Sequence, residues 1–432
     1  MIKNKRVHFI GIGGIGMSAI ARMMLLQGKE VSGSDRSFSI ITDELKKLGA
    51  KIYKGHRAQN VKSRAFDKID LVVYTTAISE SNPELKKAKK LNIPIFSYPE
   101  ILGLISKDKY TIAVSGTHGK TTTTAMIGKI LIDAKLDPTL IVGSLLKDFK
   151  SNLVAGKSGY FVCEACEYKK AFLNLNPKII VITNIDNDHL DYYKNLKNIQ
   201  KAFSQFVSKL GENDFLVYNS QNKNSLSVIK KTKCKIVDYP KLKLPKDFKL
   251  KIPGEHNIQN AKAALAVAKI LGISQSNTIR ALNKFSGTWR RFEYKGKIKN
   301  GSLIYDDYAH HPTEIKVTLT AFREKFGNRK IWCVFQPHLF SRTRFLIDDF
   351  AKSFKDVDFL IITDIYAARE KSDKRINSKK LTEKIRRYNP NVFYIKKFAD
   401  IEKFLKNNAK KGDIIITMGA GDVFKIGEEM LK

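Results

Sequence analysis

The sequence predicts an α/β protein built from several units of largely parallel β-sheet. Short apolar segments typical of buried strands alternate with segments typical of helices along the chain. Gly-rich or polar turns follow several of these strands, at the edge where open α/β sheets bind ligands. A chain of 432 residues is long enough for about two to four domains of about 150 residues each. We expect domain boundaries near residues 106 and 287.

The segment 115–124 carries the strongest signal for function. A predicted strand at 110–114 precedes it, and a predicted helix at 124–132 follows. A Gly-rich turn between a strand and a helix directs free N–H groups and the positive end of the helix dipole at a phosphate. Lys120 would reach the terminal phosphates of a nucleotide, and the Thr121 hydroxyl would ligate Mg²⁺. Val114 takes the place of the first glycine of the standard phosphate loop, so this loop is tighter than usual.

The N-terminus shows a second Gly-rich turn. A predicted strand at 6–10 leads into Gly11, Gly13 and Gly16, which have the dinucleotide-binding spacing, and a strand at 30–33 then delivers Ser34 and Asp35. Asp35 on a ribose hydroxyl would indicate NAD. The diphosphate of a UDP-sugar fits the same glycines equally well, so the turn leaves the ligand open.

Further polar loops follow other predicted strands. The loop 75–83 either contacts the N-terminal ligand or is a plain connection. Glu164 and His189 follow the strands at 159–163 and 179–183, and with Thr121 they form a plausible set of Mg²⁺ ligands, although Mg²⁺ generally keeps several waters. Asn257 and Asn260 begin a small-residue helix, where they either cap the helix or contact a nucleotide.

Two clusters near the C-terminus favour a further site. The predicted strand at 303–305 runs into two acids and two histidines at 306–311, a group that packing does not easily explain. The strand at 330–335 runs into the segment 336–344, in which Arg342 or Arg344 would clamp a carboxylate. By contrast, we assign Cys163 and Cys166 to packing, because no second Cys-x-x-Cys pair accompanies them.

The amino-acid composition indicates which kinds of binding partner to expect. The net charge of +36 comes from lysines spread along the whole chain, so we favour attraction of anionic small substrates over a nucleic-acid partner. No run approaches about 18 apolar residues, which predicts no membrane span and no membrane partner. The start of the sequence lacks a signal-peptide cleavage region, and four cysteines are too few for a disulfide framework. These features predict a cytoplasmic protein.

Taken in order, eight segments resemble the motifs of the Mur ligase family: 11–21, 115–124, 164–167, 183–189, 256–260, 290–292, 306–314 and 336–344. The resemblance covers essentially the whole chain. It implies a Rossmann-like N-terminal domain (1–106) for a UDP-sugar, a central P-loop ATPase-type parallel-sheet domain (107–287), and a Rossmann-like C-terminal domain (288–432) for an amino acid. It also assigns the N-terminal glycines to UDP instead of NAD.

The resemblance further implies an ATP- and Mg²⁺-dependent ligation of L-alanine to the lactyl carboxylate of UDP-N-acetylmuramate through an acyl phosphate, a step of peptidoglycan precursor synthesis. Lys120, Arg291 and Mg²⁺ would neutralise the charge at the γ-phosphate, and Arg291 and Asp307 would close over ATP. His310 would orient or deprotonate the amine.

Residue by residue, the resemblance implies four groups of ligand contacts. The UDP-sugar would contact Gly11, Gly13, Gly14, Gly16, Met17, Ser34, Asp35, Thr76 and Ala77. ATP would contact Ser115, Gly116, Thr117, His118, Gly119, Lys120, Thr121, Thr122, Asn257, Asn260 and Arg291. The amino acid would contact Tyr308, His310 and Arg342, and the metal would contact Thr121, Glu164 and His189.

Three positions depart from the family pattern. Cys166 and Tyr168 stand where many relatives have Asp and Ser, and Leu339 stands where many have Arg. A carboxylate clamp then rests on Arg342, with Arg344 as its possible partner. The chain is expected to act as a monomer or a homodimer.

Three other functions stay open at this point. A sister ligase that adds a preformed tripeptide would share almost every motif. A nicotinamide-dependent dehydrogenase would explain the N-terminal glycines but not Lys120, Glu164 and His189. A nucleic-acid-binding ATPase would rest on the net charge alone.

Overall fold

The structure is a computed structural model that describes residues 4–64, 66–149, 151–229 and 232–432. These residues form two compact units. The N-terminal unit contains the chain up to Ile185 together with Gln200–Pro245 and Ala261–Leu282. The C-terminal unit contains Asp186–Ile199, Lys246–Asn260 and Asn283–Lys432. Two mainly parallel sheets lie in the N-terminal unit and one in the C-terminal unit, which confirms the predicted α/β class.

The first sheet has five parallel strands in the order β3-β2-β1-β4-β5. Because β1 has β2 on one side and β4 on the other, the chain turns outward in opposite directions from the carboxyl end of β1, where such sheets bind ligands. Its strands are β1 (Arg6–Ile10), β2 (Glu30–Asp35), β3 (Lys51–Lys54), β4 (Leu71–Tyr74) and β5 (Ile95–Ser97).

The second sheet has seven strands in the order β12-β11-β10-β6-β9-β7-β8, with only β8 antiparallel to its neighbour. Here β6 lies between β10 and β9, so its carboxyl end is again the expected ligand edge. Its strands are β6 (Tyr110–Ser115), β7 (Thr139–Leu146), β8 (Ser151–Val154), β9 (Tyr160–Glu164), β10 (Ile179–Ile182), β11 (Phe215–Tyr218) and β12 (Lys235–Asp238).

The third sheet, in the C-terminal unit, has six strands in the order β13-β14-β18-β15-β16-β17. Only β13 runs antiparallel to its neighbour, at one edge. Its strands are β13 (Glu293–Lys297), β14 (Leu303–Asp307), β15 (Ile331–Phe335), β16 (Phe359–Ile362), β17 (Val392–Tyr394) and β18 (Ile414–Met418).

Helices connect the strands, as parallel pairing requires. They are α1 (Ile15–Leu26), α2 (Ile40–Lys47), α3 (Pro83–Lys90), α4 (Tyr98–Lys107), α5 (Lys120–Asp133), α6 (Leu190–Tyr193), α7 (Leu196–Val207), α8 (Lys223–Ile229), α9 (Glu255–Ile270), α10 (Gln275–Lys284), α11 (Pro312–Phe326), α12 (Phe340–Phe345), α13 (Ile347–Ala351), α14 (Ser378–Arg386), α15 (Phe398–Asn408) and α16 (Phe424–Met430). Across the described part of the chain, none of them is long and apolar enough to cross a membrane.

The apolar strands are buried on both faces, which explains their near-continuous hydrophobic sequence. Along β15, Ile331, Cys333 and Phe335 belong to one hydrophobic cluster, whereas Trp332 and Val334 belong to the cluster on the opposite face of the sheet. Because successive side chains of a strand point to opposite faces of the sheet, one strand contributes to both hydrophobic clusters. This packing fixes the sheet edges at which the polar loops emerge.

Several predicted boundaries were wrong by a few residues. Helix α5 begins at Lys120 instead of residue 124, and α9 begins at Glu255 instead of Asn260. Glu164 is the last residue of β9 and does not follow it. Strand β14 extends through Asp307, so both predicted site acids at 306 and 307 lie within the strand. In each case polar residues belong to the element, and a hydrophobic pattern does not register them.

Candidate active site

The turn 115–119 joins β6 to α5 and presents a concave backbone at the sheet edge. Gly116 has φ +132°, and a Cβ on this residue would lie 2.1 Å from Thr183 Oγ1, so only glycine fits. Gly119, at φ +84°, begins the helix. The turn is fixed to the end of β10, because Asn184 accepts hydrogen bonds from the backbone N–H groups of Thr117 (3.0 Å) and His118 (2.9 Å). This is the geometry of an anion-binding turn at a helix N-terminus.

Lys120 folds back over this turn. Its ammonium group donates to the carbonyl oxygens of Gly116 (2.5 Å) and Thr117 (3.0 Å), and pairs with Glu167 at 3.1 Å. Burial opposes the charge on Lys120, but the carboxylate of Glu167 outweighs it and raises the pKa of the lysine. The side chain therefore remains a cation beside the phosphate cradle. The sequence singled out Lys120, whereas the role of Glu167 was missed.

Oxygen donors suited to Mg²⁺ lie at the same sheet edge. Thr121 is in the first turn of α5, and Glu164 pairs in register with Val114 of β6, one residue before the turn. A carboxylate and a hydroxyl are ligands that Mg²⁺ prefers, so both residues fit the predicted metal. His189 precedes α6 in the C-terminal unit. Its part in a metal site stays a prediction.

At the carboxyl end of β1, the glycine turn is held by the end of β2. The backbone N–H groups of Gly11 and Ile12 donate to the Ser34 carbonyl (2.8 and 3.0 Å), and Gly13 N–H donates to the Asp35 carboxylate (2.9 Å). Asp35 thus braces the turn itself. The Ser34 hydroxyl is fully buried and donates to Glu84 (2.6 Å), so it supports the turn from inside.

A cavity of about 420 Å³ lies between the two sheets of the N-terminal unit. Its walls bring together Gly16 and Thr76, which are predicted for the sugar nucleotide, and Glu164, which is predicted for the metal, with Cys166 and Tyr168 beside them. Of the other predicted sugar contacts, Gly14 and Ala77 are exposed, while Met17 is buried within α1. The cavity therefore links the glycine turn of the first sheet to the end of β9 in the second.

Tyr98 also lines this cavity, and the sequence did not indicate it. A Cβ on Gly16 would come within 2.6 Å of the Tyr98 ring, which explains the last glycine of the turn by close packing. Burial raises the pKa of the Tyr98 hydroxyl above its ordinary value, so this hydroxyl remains a hydrogen-bond donor.

In the C-terminal unit, Arg290 organises the end of β14. Its guanidinium is buried and donates to Asp306 (2.7 Å) and to the carbonyl oxygens of Gly419 (2.6 Å) and Gly421 (2.9 Å). Asp306 also accepts from the Thr417 hydroxyl at 2.6 Å. Asp306 is therefore satisfied within the fold, and the predicted role of Asp307 in a site stays a prediction.

Asp307 holds the two segments that carry other predicted residues. Its carboxylate accepts from the backbone N–H groups of Phe292 (2.7 Å) and Ala309 (2.8 Å). Burial raises the pKa of Asp307 to about 6, against the opposing charge of Arg291. Arg291 in turn lies over the Tyr308 ring, with its guanidinium carbon 5.2 Å from the ring centroid. Asp307 thus positions Arg291 and Tyr308 relative to each other.

Replacing Asp307 with asparagine should change how stability depends on pH. The carboxyl has a pKa of about 6 when folded and an ordinary value of 3.8. Its contribution to stability is therefore fully present below the ordinary value and is lost as the pH rises through 6. We compare the free energy of unfolding of the unmodified protein with that of the D307N variant. The first minus the second should fall by about 2 to 3 kcal/mol between about pH 4 and pH 7.

Urea unfolding at a series of pH values checks this expectation. The exposed Asp348, whose pKa the Lys384 ammonium lowers, provides the control. For the Asp348→Asn variant, the same difference in free energy of unfolding should rise slightly with increasing pH. A difference for D307N that does not vary with pH would contradict the role given to burial.

His310 faces two acceptors through one ring nitrogen. Its Nδ1 lies 3.0 Å from the Tyr308 carbonyl and 3.2 Å from the Glu314 carboxylate. Nδ1 therefore carries a proton, so that in the neutral form of the ring the lone pair is on Nε2. The ring centroid of His338 is 5.6 Å away, and burial lowers the pKa of His338 to about 2. His338 is thus neutral next to a potential base.

Arg342 is buried and paired with Asp188, a residue that the sequence did not single out. The guanidinium donates to the Asp188 carboxylate through Nε and Nη2, and its Nη1 lies 3.1 Å from His338 Nδ1. Leu339, at φ +70°, is buried just before α12. Arg344 instead pairs with Asp373 at 3.3 Å.

Asn257 and Asn260 lie side by side in the first two turns of α9. Asn257 donates to the Pro253 carbonyl (2.6 Å), and Asn260 donates to Asn257 Oδ1 (3.3 Å). These amides link the helix to the segment before it, and their predicted contact with a nucleotide stays a prediction.

Three Mur ligase family models match consecutive parts of the chain. They are described as the Mur ligase family catalytic domain (residues 6–110), the Mur ligase middle domain (114–246) and the Mur ligase glutamate ligase domain (290–421). Together they span most of the sequence. The chain belongs to the Mur ligase family. The first and third sheets of this Mur ligase lie within the first and last matched parts, and the middle part contains the second sheet except for the start of β6.

Similar relatives and structures cover nearly the whole Mur ligase chain. The UDP-N-acetylmuramate–L-alanine ligase of Clostridium acetobutylicum is 46% identical over 99% of this chain and 98% of its own. That of Acetivibrio thermocellus is 46% identical over 100% and 96%. The UDP-N-acetylmuramate–alanine ligase structure from Thermotoga maritima has a TM-score of 0.81 at 29% identity, covering 98% of each chain. A murein peptide ligase from Psychrobacter arcticus, at 24% identity and a TM-score of 0.74, covers 99% and 98% and shares the fold.

Proposed function

We propose that this Mur ligase joins L-alanine to the lactyl carboxylate of UDP-N-acetylmuramate and converts ATP to ADP and phosphate. The observation that carries the proposal is full-length similarity, at 46% identity, to curated ligases named for this reaction. The geometry of each unit supports it independently. The N-terminal unit offers a phosphate cradle next to a cavity, and the C-terminal unit offers a buried guanidinium next to a histidine base.

The cavity of the N-terminal unit suits the sugar nucleotide. The UDP diphosphate would lie against the backbone of the glycine turn that Asp35 braces. The muramyl group would then extend along the cavity walls past Tyr98 towards Glu164. This path brings the lactyl carboxylate to the edge of the sheet that carries the phosphate cradle.

Activation of the carboxylate needs positive charge, because two anions must meet. One carboxylate oxygen forms a bond to the γ-phosphorus of ATP as the bond to the ADP oxygen breaks, which gives an acyl phosphate and ADP. Lys120, released from Glu167, would neutralise the transferring phosphoryl group. Thr121 and Glu164 would hold Mg²⁺, which would supply further positive charge there. The parts played by His189 and Arg291 stay predictions.

Amide formation needs a base and a carboxylate clamp. The alanine nitrogen forms a bond to the acyl carbon as the bond from that carbon to the phosphorylated oxygen breaks. Phosphate leaves with this oxygen, and the amine loses a proton. In the neutral form of the ring, His310 Nε2 would accept this proton, while the amino-acid carboxylate would pair with Arg342. We place the reaction in the cytoplasm, where ATP and nucleotide sugars are made, and its product in the early steps of peptidoglycan synthesis.

Phosphate release tests the proposal and its nearest rival together. The protein is incubated with ATP, Mg²⁺ and UDP-N-acetylmuramate, and with L-alanine, the tripeptide or no amine. We expect release that depends on L-alanine and yields the alanyl product by mass spectrometry. Release only with the tripeptide would move the chain to the tripeptide-adding class, and no amine-dependent release would refute the ligase reaction.

A further inference from the structure

Glu84 is a buried carboxylate in the N-terminal unit. It is the second residue of α3, and none of its surface is exposed to solvent. An ionised carboxylate is buried so completely only when charges or hydrogen-bond donors surround it. Because Glu84 is shielded from solvent, it does not touch a ligand, and any effect that it has on binding must pass through the side chains that contact it.

Four side chains converge on this carboxylate. The Ser34 hydroxyl donates to Glu84 Oε2 at 2.6 Å, and the Asn60 side-chain amide donates to Oε1 at 2.6 Å. His56 Nδ1 lies 3.2 Å from Oε2, and His8 Nε2 lies 3.6 Å from Oε1. The four residues come from β1, from β2 and from the segment after β3, whereas Glu84 itself follows β4. One carboxylate therefore joins four successive parts of the first sheet.

The carboxylate is ionised, and the hydrogen bonds around it have a defined direction. Burial raises the pKa of Glu84, but its neighbours, chiefly His8 and Ser34, outweigh burial and hold the pKa below its ordinary value. His56 Nδ1 also lies 2.8 Å from Ser34 Oγ. Because the Ser34 hydrogen goes to Glu84 and a carboxylate only accepts, His56 Nδ1 carries a proton and is a donor. Glu84 is thus the common acceptor of the cluster.

Ser34 connects this cluster to the glycine turn after β1. Its hydroxyl donates to Glu84, while its backbone carbonyl accepts the N–H groups of Gly11 (2.8 Å) and Ile12 (3.0 Å). The position of Ser34 therefore sets the position of the turn against which the UDP diphosphate is proposed to lie.

The segment 75–82 holds the same turn from the other side. The Thr75 N–H donates to the last carbonyl of β1 at 3.1 Å, and a Cβ on Gly11 would lie 2.5 Å from Thr75 Cγ2. The segment ends at Asn82, whose side chain accepts the Glu84 N–H at 2.9 Å and caps α3. Glu84 thus attaches this segment to the end of β2, and the glycine turn lies between the two.

We propose that Glu84 is a positioning residue for the sugar nucleotide. It fixes Ser34 and the segment before α3, so that the glycine turn keeps the backbone shape that receives the diphosphate. This inference rests on the proposed function. If Glu84 only stabilised the fold, its replacement would lower the stability of the protein without a selective change in affinity for the sugar nucleotide.

The Glu84→Gln variant separates the two roles, because it keeps the volume of the side chain and removes its charge. Titration calorimetry with the full chain should show the Kd for UDP-N-acetylmuramate rising by about tenfold or more, since donors that met a carboxylate now meet an amide. The Kd for ATP, and kcat at saturating UDP-N-acetylmuramate, should stay within about twofold. The matched control is Glu30→Gln at the opposite end of β2, where the carboxylate pairs with Arg6 at 3.0 Å. It should leave both Kd values unchanged.

A second variant tests the same contacts with a smaller change. Ser34→Ala removes one buried hydroxyl and keeps the backbone carbonyl, and it should raise the Kd for UDP-N-acetylmuramate by about three- to tenfold. In the double variant with Glu84→Gln, the rise should be smaller than the product of the two single changes by about threefold or more. A rise equal to that product would contradict an effect exerted through Ser34.

An unchanged Kd for UDP-N-acetylmuramate in Glu84→Gln would overturn the inference, as would an equal rise of the Kd values for UDP-N-acetylmuramate and ATP. If Glu84→Gln does not fold, Ser34→Ala decides, and an unchanged Kd in that variant would overturn the inference as well. Failure of the proposed function shows separately, as absent L-alanine-dependent phosphate release by the unmodified protein, while binding of the sugar nucleotide is still measured directly.

Discussion

Replacing Lys120 with alanine should lower L-alanine-dependent phosphate release by about a thousandfold, the usual cost of removing a preorganised charge at a reacting phosphate. The ammonium group of Lys120 lies over the turn 115–119 and donates hydrogen bonds to two of the carbonyl oxygens of the turn. Titration calorimetry should show unchanged binding of UDP-N-acetylmuramate, because the glycine turn at β1 is built from other residues.

Lys129 provides a matched control on the same helix. It pairs with Asp133 at 2.7 Å, away from the turn, so Lys129→Ala should keep the rate of the unmodified protein. If Lys120→Ala retained more than about a tenth of the normal rate, assignment of the turn to the γ-phosphate would be wrong.

Replacing Arg290 with methionine should destabilise the C-terminal unit by about 3 to 5 kcal/mol, because it leaves the Asp306 carboxylate buried without its cation. The carbonyl oxygens of Gly419 and Gly421 lose their donors in the same step. Both tryptophans of the sequence, Trp289 and Trp332, belong to the C-terminal unit, so their fluorescence during urea unfolding reports on this unit alone.

The ion pair between the exposed Arg375 and Asp373 supplies the comparison. Arg375→Ala should leave the free energy of unfolding nearly unchanged, because solvent screens the exposed guanidinium. If Arg290→Met and Arg375→Ala lowered the free energy of unfolding equally, burial of the Arg290 ion pair would not increase its contribution to stability.

The sequence predicted the features that are local along the chain. The turn 115–119 and the glycine turn after β1 follow from residue spacing and hydrophobic pattern, and the structure places both at the carboxyl ends of strands as expected. The family motifs added the order of the three sheets. Only the exact ends of elements such as β14 and α5 were misplaced.

The missed features are contacts between residues far apart in sequence. Asp188 and Arg342 are separated by 154 positions, and Arg290 reaches Gly421 across 131. No spacing rule identifies such pairs, because tertiary packing alone brings them together. Tyr98 shows the same limit: its ring explains Gly16, although nothing in the local sequence of either residue indicates the other.

The most direct test of the account follows an oxygen atom. UDP-N-acetylmuramate labelled with oxygen-18 in both lactyl carboxylate oxygens is incubated with ATP, Mg²⁺ and L-alanine, and the released phosphate is analysed by mass spectrometry. Attack of the carboxylate on the γ-phosphate predicts one labelled oxygen in each phosphate and one retained in the amide of the alanyl product. Unlabelled phosphate would contradict activation of the carboxylate as an acyl phosphate.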